Sequence, residues 1–227
     1  GLGRRELVAF TGAGGKSTLM LRLADELVEK GNRVLVTTTT KMGREQLTAV
    51  PAVCESDDLA TVAAALARHP LIALITGGDD HKATGPPPDV VDQLFRSTAV
   101  EYLLVEADGA HGRSLKAPAA HEPVIPSQAT TVVVLIGIDA IGGRIADVAH
   151  RPAQAARLTG LGVDDRLTIE HCAAVLTHPR GGLKGVPAMA RVVVALNKAT
   201  EARGGPIATE LARRLGSCQR ISHMVVV

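Results

Sequence analysis

Eight consecutive residues carry the densest chemistry in the chain: Thr11-Gly12-Ala13-Gly14-Gly15-Lys16-Ser17-Thr18. Glycines tolerate positive φ and let successive backbone N–H groups converge on an anion. A helix opening near Lys16 would add its unpaired N–H groups and the positive end of its dipole. Lys16 can reach the β- and γ-phosphates of a nucleoside triphosphate, and Ser17 can place its hydroxyl on Mg²⁺. Gly12, Ala13, Gly14, Gly15, Lys16, Ser17 and Thr18 are therefore expected to hold the phosphates of ATP or GTP. Counting back from Lys16, the first glycine of the usual GxxxxGK[ST] spacing would fall at Phe10, so this loop is two residues shorter. A bare glycine turn is the plainer alternative, and the Gly-Lys-Ser-Thr that follows directly speaks against it.

Two apolar runs end in further chemistry. Leu103-Leu104-Val105-Glu106-Ala107-Asp108 finishes in acids, the pattern that lets a carboxylate beside a phosphate loop hold Mg²⁺. Two residues apart in a strand, Glu106 and Asp108 would share a face. Asp108 is expected to join Ser17 on the metal and Glu106 to orient water. The second run ends in Thr37-Thr38-Thr39-Thr40-Lys41. Threonine favours strands for its own reasons, and alternation turns some of these hydroxyls away, so two of the four are expected to be functional. Thr39 is the candidate for placing the attacking water. Thr38, Thr40 and Lys41 are candidates for touching the γ-phosphate or a second substrate.

Leu196-Asn197-Lys198-Ala199-Thr200 resembles the NKxD element with which GTPases read guanine, with threonine in place of the aspartate. A hydroxyl cannot accept as a bidentate carboxylate does. Asn197 and Lys198 are expected against the nucleotide, and base selectivity is expected to be weak. The stretch from Ala107 to Thr130 is long, rich in Gly and Pro, and bounded by strong strand patterns. Such loops inside compact domains are usually functional or disordered. Its Arg113 and Lys116 are candidates for a second anion, and His121 and Glu122 for substrate contact. A second basic, glycine-rich loop at His178–Gly185 can close over a ligand or be a solvated turn.

The elements that must position these groups alternate along the chain. Strand patterns fall at 6–11, 33–39, 71–76, 101–106, 131–136, 191–196 and 220–227. Helical patterns fall at 17–30, 57–68, 86–97, 152–158, 169–176 and 207–215, with Ser56 or Asp57 capping the second. Fully apolar strands between helices predict an α/β, doubly wound, mostly parallel sheet covered on both faces, a three-layer sandwich. The 227 residues are read as a single domain with one long functional loop at 107–130.

Composition excludes several functions. Lys plus Arg is 25 and Asp plus Glu is 23, a net +2, too even for a protein that grips nucleic acid through charge. Phe10, Phe95 and Tyr102 are the only aromatic residues, which removes base-stacking platforms. The three cysteines are widely spaced without CxxC, and no HxH or HExxH occurs among the eight histidines. Buried free thiols are expected rather than a metal or disulfide framework. The longest apolar runs, such as Val132–Ile136, are far short of the ~20 residues that span a bilayer. Leu7–Phe10 is too short for a signal-peptide core. The expectation is a cytoplasmic protein with neither membrane nor nucleic acid as partner.

Seven segments together resemble the YqeC family: FTGAGGKSTLM from Phe10, RVLVTTTTKM from Arg33, LLVEADGAHGRSLKAPAAHEPVIP from Leu103, VVLIGIDAIG from Val133, HRP from His150, THPRGGLKGVP from Thr177 and LNKAT from Leu196. They keep their order across nearly the whole chain, and the ADGA…LKAPAAHEP block is far more specific than the phosphate loop. The resemblance implies a P-loop nucleoside-triphosphatase fold and a role as accessory protein to selenium-dependent molybdenum hydroxylases, near maturation of their cofactor. The combined expectation is a Mg²⁺-dependent binder and slow hydrolase of ATP or GTP. A small-molecule kinase or ligase using the same site is the first alternative, and a nucleotide-gated switch with little turnover the second.

Overall fold

The structure is a computed structural model that describes residues 2–199 and 201–227, with residues 201–203 described by their backbone alone. One eight-stranded sheet collects β1 (Glu6–Gly12), β2 (Val34–Thr38), β3 (Val53–Cys54), β4 (Leu71–Leu74), β5 (Tyr102–Glu106), β6 (Thr131–Gly137), β7 (Arg191–Asn197) and β8 (Ile221–Val226). Their spatial order is β8-β7-β6-β1-β5-β2-β4-β3. Every pairing in it is parallel. The order reverses at β1, which lies between β5 and β6. In open α/β sheets that reversal marks the crevice where ligands bind, outside the carboxyl ends of the strands.

The sheet is buried because its strands are apolar on both sides. Val8 and Phe10 of β1 join Met20, Ala24 and Leu27 of helix α1 (Lys16–Glu29) in one core. Leu7 and Ala9 point the other way, into a larger core with Val62, Leu66, Val91, Leu94, Ala155, Val175 and Leu211. Those side chains come from helices α2 (Leu59–Arg68), α3 (Pro88–Ser97), α4 (Pro152–Thr159), α5 (Ile169–Thr177) and α6 (Glu201–Leu215). The result is an α/β three-layer sandwich around a parallel sheet, as the alternating pattern predicts. No helix among the described residues is long and apolar enough to cross a membrane.

Several details depart from the sequence reading, the two-residue edge strand β3 among them. The cap of α2 is Asp58, whose carboxylate accepts from the Thr61 amide at 2.9 Å, rather than Ser56 or Asp57. Helix α6 begins at Glu201 and runs through Gly204, Gly205 and Pro206, residues whose low helix propensity hides its first turns. A small antiparallel sheet of Lys41–Gly43, Gly77–Gly78 and Lys82–Thr84 is new. So is a pairing of Leu115–Lys116 with Ala149–His150, which gives the 107–130 stretch a strand of its own.

The far end of that stretch is pinned by a buried acid. Asp92 of α3 accepts from the Ser127 amide at 3.0 Å, the Ser127 hydroxyl at 2.7 Å and the Gln128 amide at 2.8 Å. Hydrogen bonds to a charged group are worth about 1.5–3 kcal/mol each, and losing one partner strands the others. Asp92→Ala is expected to lower unfolding free energy by about 2–3 kcal/mol in urea denaturation. A loss below about 0.5 kcal/mol would show that the 127–128 turn is held by other means.

Candidate functional site

The loop between β1 and α1 is shaped by what lies behind it. Gly12 and Gly14 adopt φ of 87° and 101°. A Cβ at Gly12 would lie 2.3 Å from the Leu135 carbonyl oxygen, and one at Gly14 would lie 2.4 Å from the Gly137 nitrogen. The loop is therefore pressed onto the carboxyl end of β6, an approach that only glycine permits. Asn197, ending β7, donates its side-chain amide to the Gly14 carbonyl at 2.7 Å. Among the described residues the amides of Gly14 and Gly15 meet no acceptor. Together with the opening turn of α1 they form a concave set of donors suited to phosphate oxygens.

A cleft of about 630 Å³ opens over this loop, lined by Gly14–Thr18, Thr40–Gly43, Lys82, Thr84, Glu106, Gly109–Arg113, His121 and Glu122 among others. At its floor, Lys16 is only 4% exposed. Its ammonium donates to the Gly12 carbonyl at 2.9 Å and lies 3.2 Å from Asp108 and 3.9 Å from Glu106. Ser17 donates its hydroxyl to Glu106 at 2.5 Å. Burial pushes the Glu106 carboxyl above the ordinary carboxylate range; Lys16 and Ser17 pull it down and Asp108 adds to the rise.

The two acids do not share a face, although the sequence reading expects them to. Asp108 is 2% exposed, accepts from the Gly12 amide at 3.1 Å and does not line the cleft. Ser17 sits with Glu106, so these two supply the hard oxygens that face the cleft. The reason is where β5 stops. Glu106 is its last residue, and beyond the strand the two-residue alternation that would put Asp108 on the same face no longer holds.

Asp108 instead belongs to a buried chain of alternating charge. Glu106, Lys16, Asp108, Lys116, Glu122 and Arg151 follow one another, with Lys116 3.4 Å from Asp108 and 3.0 Å from Glu122, and Arg151 3.0 Å from Glu122. Lys116 is 4% exposed and also donates to the Gly109 carbonyl. It is a counter-ion inside the protein and does not line the cleft. Burial would raise Glu122; bonds from Lys116, the Ala119 amide and Arg151 outweigh that and hold it at about 2. His150 next to this chain is pushed down to about 4 by burial and by the charges of Lys116, Arg151 and His111.

The threonines divide as alternation requires, though not as assigned. Thr38 is fully buried, donates to the Glu106 carbonyl at 2.9 Å and accepts from the Thr40 amide. Thr39 donates to the Val124 carbonyl at 2.6 Å and does not line the cleft, which leaves it badly placed to orient water there. Thr40, Lys41, Arg113 and His121 do line it. Thr18 is exposed at the cleft, and Ala13 is buried with its amide on the Leu135 carbonyl. Lys198 lies outside the cleft lining, bonded to Ser114 and Asp139 at 2.9 Å each. Thr200 lies outside the described residues.

Sequence reasoning left three contributors without a role. Lys82 comes from a three-residue strand with no readable periodicity. Arg151 stands out beside His150 in a loop, though its pairing with Glu122 does not show in the sequence. Lys184 ties three carbonyls of the 119–122 turn, those of Ala119, Ala120 and Glu122; its glycine-rich basic loop was visible in the sequence, though its inward aim was not. Among the described residues no cluster of three or more His, Cys, Asp or Glu could hold a metal by itself. Mg²⁺ does not need one, since it keeps several waters and takes one or two protein oxygens alongside phosphates. Ser17 and Glu106 fit that requirement.

Known proteins provide an external comparison. A family model described as the YqeC protein matches residues 8–153. An uncharacterized protein of Escherichia coli (strain K12) that bears the same name is 31% identical over 213 residues, covering 93% of this chain and 83% of its own length. Similar solved structures include the signal recognition particle 54 kDa protein from Aeropyrum pernix K1 in complex with GDP, with a TM-score of 0.45 and 16% identity. That match covers 99% of this chain and 42% of the other. HypB from Helicobacter pylori in complex with nickel is similar with a TM-score of 0.40 and 11% identity, covering 98% of this chain and 78% of its own.

Proposed function

The chain belongs to the YqeC family, and on that premise we propose that it is a Mg²⁺-dependent nucleoside-triphosphate-binding protein that slowly hydrolyses ATP or GTP. We read residues 1–227 as one nucleotide-binding domain with a long functional loop at 107–130. The observation that supports this most is the convergence at one cleft of the Gly14 and Gly15 amides, the Lys16 ammonium and the Ser17–Glu106 pair. The amides and α1 would hold the β- and γ-phosphates, and Lys16 would exchange its carboxylate contacts for γ-phosphate oxygens. Ser17 and Glu106 would hold Mg²⁺, which when bound neutralises the charge that develops on the phosphates. Thr40 is the hydroxyl of the threonine run that faces the cleft, and it replaces Thr39 as the group that would orient water. Asn197 would fix the loop from the base side.

The family resemblance supports a cytoplasmic role in maturation or cofactor insertion of a selenium-dependent molybdenum hydroxylase, which would then be the protein partner. A second reading, a small-molecule kinase or ligase, is favoured by the extension of the cleft well past the phosphate loop to Lys41, Lys82 and His121.

The test is thermal unfolding with ATP, GTP and CTP, each with and without Mg²⁺. A ligand that binds only the folded state at 100 times its Kd adds about 2.7 kcal/mol. A Mg²⁺-dependent rise in midpoint is expected with ATP or GTP. No shift with any of the three overturns the nucleotide reading.

A further inference from the structure

The cleft has an outer half that the phosphate loop does not use, and its charge is one-sided. One wall is the small antiparallel sheet. Its register sets Lys41 opposite Thr84, Met42 opposite Ala83 and Gly43 opposite Lys82. Met42 and Ala83 are buried in the core that also holds α1. Residues directly opposite share a face, and neighbours along a strand point to opposite faces. Anchoring Met42 and Ala83 inward therefore sends Lys41 and Lys82 together to the other face, where both line the cleft. The third strand adds Gly77 beside Thr84 and so puts no side chain in their way.

The opposite wall adds a further cation, Arg113, flanked by the imidazoles of His111 and His121. Arg113 is anchored by a bond to the Asp147 carbonyl, and the His111 ring stacks on His150 with centroids 4.9 Å apart. The carboxylates lining the cleft are Glu106 and Glu122, and both are spent inward, on Ser17 and Lys16 and on Lys116 and Arg151. Neither Lys41 nor Lys82 has an ion-pair partner among the described residues, though Asp79 feels the charge of Lys41. Clefts lined by one sign of charge concentrate ligands of the other.

We propose that this outer half is a second binding site, for a small phosphate-bearing ligand distinct from the nucleotide and held between Lys41 and Lys82 on one side and His111, Arg113 and His121 on the other. The assignment rests on the nucleotide reading, because the inner half is given to the triphosphate.

The test uses inorganic phosphate as probe, added to protein saturated with Mg²⁺ and a non-hydrolysable analogue of whichever nucleotide binds. Wild type is expected to show a second, salt-sensitive rise in unfolding midpoint. The double variant Lys41→Ala, Lys82→Ala changes two exposed side chains. It is expected to weaken phosphate binding at least tenfold and to keep nucleotide affinity within threefold. The proposal is overturned if phosphate gives no second rise with nucleotide bound. It is also overturned if the double variant loses nucleotide affinity tenfold, because the lysines would then serve the nucleotide's own phosphates. If wild type binds no nucleotide, the parent reading fails by itself. Phosphate alone then decides the site: a shift that the double variant loses keeps it, and no shift removes it.

Discussion

Replacing Lys16 with alanine is expected to cut phosphate release from Mg²⁺-nucleotide by about 10²–10³-fold, the usual loss when one donor aimed at developing oxyanion charge is removed. The geometry explains why no neighbour can substitute. The ammonium is held within 3.9 Å of both Glu106 and Asp108 and 2.9 Å from the Gly12 carbonyl, while Lys116 is committed to Asp108 and Glu122. The Lys16→Gln variant, which keeps a donor and most of the volume, separates lost chemistry from lost folding when its unfolding midpoint is recorded beside its turnover. Equal phosphate release in wild type and Lys16→Ala would end the hydrolase reading.

Lys116→Met is expected to destabilise the fold by about 3–5 kcal/mol, the typical result of breaking a buried ion pair by removing one partner. Asp108 and Glu122 would be left facing each other's charge across an apolar side chain, at 2% and 8% exposure. The triple variant Lys116→Met, Asp108→Asn, Glu122→Gln removes the stranded charges and is expected to recover part of the loss. A Lys116→Met protein as stable as wild type in urea would mean that the chain of charges contributes nothing to folding.

Acid titration gives the same network a second readout. Glu122 is held at about 2 in the fold against an ordinary value of 4.5. A depressed carboxyl stabilises above its unfolded value, and that stabilisation is lost as pH falls from about 4.5 through 2. Glu106 is raised and has the opposite sign: its contribution is present at low pH and is lost as pH rises through its folded value. Lys116→Met relaxes Glu122 toward its ordinary value, so the acid limb of stability is expected to flatten in that variant.

The glycine loop between β1 and α1 was legible because its code is local. An apolar strand, glycines and Gly-Lys-Ser-Thr in direct succession leave few ways to fold. The sheet was legible for a similar reason: runs such as Val132–Ile136 are too apolar to face water on either side. The division of labour between Glu106 and Asp108 was not legible: the strand pattern ends at Glu106 as β5 does, and the alternation was carried past that end to Asp108, where the course of the chain is set by what it packs against. Thr39 was assigned to water by the same overextension. Lys116 read as a free cation in a loop, because nothing local reveals that the chain returns Glu122 and Arg151 to it. The strands carrying Lys41 and Lys82 are three residues long, too short for alternation to be read at all.

The seating of Gly12 and Gly14 on the end of β6, with Asn197 fastening Gly14 from β7, also bears on speed. A site whose backbone has nowhere else to go has already lost its conformational freedom when the chain folds. Capture of an anion there requires no loop to be ordered at the moment of contact, and little of the binding free energy is spent on rearrangement. What can still move is charge: Lys16 turning from its carboxylates, and the alternating row behind it adjusting in step as far as Arg151. On the proposed reading the frame would stay still and the electrostatic balance would respond, so news of an arriving phosphate would travel as a redistribution of ion pairs rather than as a swing of the backbone.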